Sequence, residues 1–108
     1  MEIWVEVKKL QGKTLKTLDR NNPFDIVDVG ARKLIVKPHV RGIERGIRRQ
    51  AIEGAFKELV MRGEITRADI RCRHSNFNPA YVAAILASLP NVTFSLKPIR
   101  LYYGVEGP

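Results

Sequence analysis

Two constellations in this 108-residue sequence have the residue types to act on a phosphodiester. Glu6-Val7-Lys8 has the acid-x-lysine spacing of metal-dependent nucleases. Its only upstream acid, Glu2, lies four residues earlier on the same segment, too near to be a separately placed metal ligand. His39 and His74 could work as an acid and base pair, with Arg41 or Arg73 for charge, although two isolated histidines more often serve as surface or capping residues. A single cysteine, Cys72, cannot close a disulfide within the chain, and with two histidines it falls short of a four-ligand zinc site. The sequence contains no Gly-rich phosphate loop, nucleophile elbow or dinucleotide fingerprint. The expectation is therefore a binding protein without catalytic residues, metal or cofactor.

The chemistry that the sequence does supply is cationic. Nineteen Lys and Arg against eleven Asp and Glu give a formal charge of +8 and a pI near 10.1, which favours a polyanionic partner such as nucleic acid. The charge is zoned. Residues 29–50 hold Arg32, Lys33, Lys37, Arg41, Arg45, Arg48 and Arg49 against Glu44 alone, and residues 8–20 hold five cations against Asp19. Arg45, Arg48 and Arg49 lie at or just before the start of the main helix, where the helix dipole favours acids, and no Ser, Thr, Asp or Asn between 40 and 50 caps it. A phosphate would answer both the arginines and the free amides. A short strand at 44–47 would instead place the arginines outside the first turn, as a solvated basic face.

The elements that would carry these cations follow from hydrophobic period. With 44% hydrophobic and 28% charged residues, and no repeat or linker, the chain reads as one folded domain. Ile3, Val5 and Val7 alternate with polar neighbours, which predicts a strand over 2–8, while Gln11 to Asn22 reads as a loop or a short third strand. Phe24–Val29 and Leu34–Val36 flank Gly30 as a hairpin. Ile47, Ala51, Ile52, Ala55, Phe56, Leu59 and Val60 recur at helical spacing and predict a helix over 48–62, closed by Gly63 and carrying Glu53–Lys57 and Glu58–Arg62 pairs. Thr66 to Asp69 has the spacing of a capping box, for a short helix over 67–73 with Ile65, Ala68 and Ile70 inward. Asn78-Pro79 predicts a capped third helix over 79–88, and Val92 to Tyr103 one bent strand or a pair. The expected fold is α+β, a small antiparallel sheet from 2–8, 24–29, 33–37 and 92–103 against three helices.

The main helix, an Arg-Gly-Glu-Ile-Thr turn, a short helix, Asn-Phe-Asn-Pro, a third helix and then β residues give residues 47–103 an order that resembles winged helix-turn-helix DNA-binding domains. That resemblance implies a third helix entering the major groove by its N-terminal residues, here Asn76, Asn78 and Tyr81, beside Arg67, Arg71 and Arg73. Pro79 to Leu89 departs from it, with no Arg, Lys, Gln or Asn to read base edges. The expected function is double-stranded DNA binding, with Lys33, Lys37, Arg41, Arg45, Arg48 and Arg49 on phosphates, Arg32 in the same basic hairpin, and Arg67, Arg71, Arg73, Asn76 and Asn78 near a groove. Two alternatives stand: a protein-interaction module docking on an acidic partner or forming a homodimer through its Ala-rich third helix, and an RNA-binding protein stacking bases on Trp4, Phe77, Tyr102 or Tyr103. No apolar run approaches the roughly 18 residues of a membrane span, and the acidic, alternating N-terminus is unlike a secretory signal. With one cysteine, the expected location is the cytoplasm.

Overall fold

A computed structural model describes residues 2–104. The first element corrects the expected strand: Ile3–Lys8 is a helix, α1, whose start is capped by the Glu2 carboxylate accepting from the Trp4 amide. Ile3, Trp4, Val7 and Leu10 are buried and Val5 is 51% exposed. Tryptophan interrupts the polar side of a strand, but on a helix it joins the apolar stripe, so the burial of Trp4 favours the helix. The Trp4 indole N–H donates to the Gly30 carbonyl at 2.8 Å and ties α1 to the following hairpin.

Four antiparallel strands come next: β1 (Thr14–Lys16), β2 (Pro23–Val29), β3 (Lys33–Pro38) and β4 (Arg45–Arg48), in that spatial order. The pairing of β2 with β3 steps from Ile26↔Val36 to Asp28↔Ile35, leaving Val27 bulged and exposed while Ile26 and Val29 both stay in the core. Helix α2 (Arg49–Arg62) then buries Ile52, Ala55, Phe56 and Leu59, whereas Ile47 enters the core from β4 and Val60 faces solvent. Gly63 ends α2 in the left-handed region at φ 83°, its N–H returning to the Leu59 carbonyl at 2.8 Å, as the sequence predicts.

A second, three-stranded sheet replaces the single sheet of the sequence reading: β5 (Glu64–Thr66), β6 (Val92–Ser95) and β7 (Arg100–Tyr103), in the order β5-β7-β6. Between β5 and β6 lie α3 (Arg67–Arg73) and α4 (Pro79–Ala87). The capping box of α3 is complete, Asp69 N–H donating to Thr66 Oγ1 at 3.1 Å and Thr66 N–H to Asp69 Oδ2 at 3.0 Å. Ala68 is exposed rather than inward, since Ile65 and Ile70 already fill that side of the core. On α4 five consecutive residues, Val82 to Leu86, are buried, as suits a helix apolar on all sides. Asn78 starts α4 through its carbonyl, which accepts from Val82 N–H, and not through a side-chain cap. The fold is α+β. Helix α2 contacts β3 and β4 of one sheet and β5 and β7 of the other, and α4 contacts β1 and β6. One hydrophobic cluster therefore runs from Ile3 to Leu101. Among the described residues no helix is long and apolar enough to cross a membrane.

Candidate functional site

Ion pairing separates the cations into two classes. Lys9, Arg49, Arg62, Arg67, Arg73 and Arg100 hold carboxylates, and the other thirteen form no ion pair among the described residues. The acids are almost all engaged, leaving Asp28 and Glu44 as the described carboxylates outside any pair. The excess positive charge is thus presented to solvent, where a polyanion can reach it.

Several of these free cations line three connected clefts at the start of α4. The central one, about 340 Å³, lies between the Thr17–Asn22 turn and residues 77–81, with Arg20, Arg45 and Arg67 on its lining. The turn is fixed by Thr17, which is buried: its N–H donates to the Asn22 carbonyl, its Oγ1 accepts from Asn22 N–H at 3.0 Å, and its carbonyl accepts from Asn21 N–H. Asn21 takes φ 55°, a left-handed conformation that Asn tolerates. A larger cleft of about 620 Å³ shares Asp19, Arg67, Pro79 and Ala80 with the first and adds Arg71 and Lys97. A third, about 210 Å³, shares Asn22, Arg45 and Tyr81 and adds Arg41. Arg67 crosses to Asp19 at 2.9 Å. Partial burial works against the Asp19 carboxylate, but the Arg67 hydrogen bond and charge and the backbone amides of Asp19 and Arg20 outweigh it and hold the carboxyl below its ordinary value.

Of the residues singled out in the sequence, the clefts gather Arg41, Arg45, Arg67, Arg71 and Asn78. Arg32, Lys33, Arg48 and Arg49 line a separate recess of about 540 Å³ at the start of α2. There the strand precedes the helix: Arg45 and Arg48 belong to β4, and the Arg49 amide is already satisfied by the Arg32 carbonyl at 2.8 Å. Arg49 is structural, stacked on Trp4 at 5.0 Å, donating to the Ala31 carbonyl and pairing with Glu53 at 3.1 Å, which takes Glu53 from its expected partner Lys57. Lys37 sits on β3 opposite Asp25, and Asn76 is exposed in the turn before α4.

Arg73 is drawn away from the clefts by Glu58, which also accepts from Arg62 and from His74 at 2.8 Å. The Arg73 hydrogen bonds, then those of His74 and Arg62, hold the Glu58 carboxyl far below its ordinary value against the opposing effect of burial. His39 pairs instead with Asp25 at 2.9 Å, so the two histidines close on different carboxylates.

The sequence reading missed Arg20 and Lys97. Both occupy turns, Arg20 before Asn21-Asn22-Pro23 and Lys97 before Pro98, and turn chemistry was the available signal. Among the aromatic candidates, Trp4 is buried, Tyr103 packs edge-on against Phe56, and Phe77 is 83% exposed. No group of three or more His, Cys, Asp or Glu suited to a metal occurs among the described residues. No protein-family model, curated protein or solved structure matches the chain.

Proposed function

We propose that the protein binds double-stranded DNA without catalysing a reaction on it, through phosphate contacts from Arg20, Arg41, Arg45, Arg71 and Lys97 around the start of α4. The observation that carries this reading is the collection of cations free of ion pairs on the lining of three connected clefts. The order α2, β5, α3, α4, β6, β7 and the sheet order β5-β7-β6 support the likeness to winged helix-turn-helix domains over residues 47–103. Only the start of α4 is available for a groove, because Val82 to Leu86 are buried. Specificity from base edges is therefore small, and affinity comes from the backbone. The lone, exposed Cys72 suits a reducing cytoplasm.

Fluorescence anisotropy on labelled duplex at several salt concentrations tests the reading. Affinity should fall steeply with salt, and Arg20→Ala, Arg45→Ala and Arg71→Ala should each reduce the logarithmic salt slope by about one. Unchanged slopes would overturn the site. Stronger competition by RNA hairpins would move the assignment to RNA. Absence of binding at low salt, with a dimer in sedimentation or retention on an acidic protein, would move it to a protein partner.

A further inference from the structure

The exposed ring of Phe77 is not explained by phosphate contacts. It is the most exposed large hydrophobic residue among those described, at 83%, and it lies on the lining of the central cleft with Arg20, Arg45 and Arg67. Tyr81, on the same lining, is held edge-on against the fully buried Phe24 at 4.9 Å, so part of the cleft wall is rigid and aromatic. Asn78 also belongs to this lining, its Oδ1 shielded from solvent and without a hydrogen-bond partner.

The exposed ring, the aromatic wall and the cations share one complement. A flat ring beside cations offers a stacking surface, and the bases inside a duplex present only their edges, so the partner must be a base outside the stack. A nucleobase carries the flat face for Phe77. Its flanking phosphates match the free guanidinium groups of Arg20 and Arg45, and a cleft of about 340 Å³ falls within the size range of small-ligand sites. We propose that this cleft receives one unpaired nucleobase of a bound strand, stacked on Phe77, so that the preferred ligand is a duplex carrying a single-stranded extension or an unpaired base. This rests on the nucleic-acid reading above and specifies which nucleic acid it takes.

The test compares the full chain on a blunt duplex of about 20 base pairs with the same duplex extended by about five unpaired nucleotides carrying 2-aminopurine. The extension should raise affinity about tenfold, with a change in 2-aminopurine fluorescence on binding. Phe77→Ala and Phe77→Leu should abolish both the preference and the fluorescence change, leave the blunt-duplex affinity and salt slope as they are, and unfold at the wild-type urea midpoint. Phe77→Trp should retain the preference. Equal affinity for the two ligands, or an equal loss on both in Phe77→Ala, overturns this inference and leaves the duplex-binding reading standing. Failure to bind either ligand overturns both. Displacement of the extended duplex by an equimolar nucleoside monophosphate would assign the cleft to a free nucleotide instead.

Discussion

Arg45 and Arg49 stand four residues apart in one basic stretch and do different work. Arg49 is engaged: its guanidinium lies over the Trp4 ring, donates to the Ala31 carbonyl and pairs with Glu53, so that α1, the β2–β3 turn and the first turn of α2 are held at one point. Arg45 forms no ion pair and lines two of the clefts. Arg49→Ala should therefore lower stability by about 1 kcal/mol in urea unfolding and leave the salt slope of DNA binding unchanged. Arg45→Ala should do the reverse. The sequence shows both as surplus positive charge, because charge is a property of composition. The acids that neutralise particular arginines, such as Asp19 for Arg67 across 48 positions, are brought near only by the fold. The exposure of Phe77 was equally hidden, since an aromatic between two asparagines fits a core edge as well as a cleft.

At the scale of elements, the Glu58 cluster joins α2 to α3. One carboxylate on α2 accepts from Arg73 and His74 at the end of α3 and from Arg62 one turn along its own helix. Its carboxyl is held far below the ordinary range, as, less strongly, are those of Asp19, Asp25 and Asp69. Groups with depressed folded-state values contribute stability that is complete above their unfolded values, near pH 4, and that is lost as pH falls through the folded ones. Urea midpoints should thus hold steady from pH 7 to about 5 and decline below that. Glu58→Gln should lower the neutral-pH stability by about 1 kcal/mol and make the acid decline shallower. Elements whose signals are local were legible: the Thr66–Asp69 box, Gly63 at the end of α2 and the hairpin at Gly30 all stand where the sequence places them. The strand expected over 2–8 was not, because seven residues satisfy a period of two and a period of 3.6 at once. What decides is whether Val5 or Trp4 meets the core, and α2 and the Gly30 turn, distant in sequence, settle that.

At the scale of the molecule, two sheets that share no strand are held together by helices. Ile52 and Leu59 on α2 and Ile85 and Leu86 on α4 are fully buried in a cluster that also contains Ile26 and Leu34 of the first sheet and Ile65 and Leu101 of the second. Neither sheet has a core of its own, because the face that each buries is covered by helices the other also uses. One hydrophobic cluster thus serves both sheets, and their division could not be read from strand patterns alone, which carry no record of which strands pair. Unfolding should accordingly be one transition. Trp4, the sole tryptophan, reports on α1 and the Gly30 turn beside the first sheet, and the far-ultraviolet circular dichroism is dominated by α2, α3 and α4. The two signals should give coincident urea curves. Ile85→Ala, which opens a cavity where α4 meets the shared core, should lower stability by about 2–5 kcal/mol and shift both curves by the same amount. A tryptophan signal that stays at its wild-type midpoint while the dichroism shifts would mean that the first sheet folds by itself, and the basic clefts, whose linings draw on both halves of the chain, would then depend on how two separate units dock.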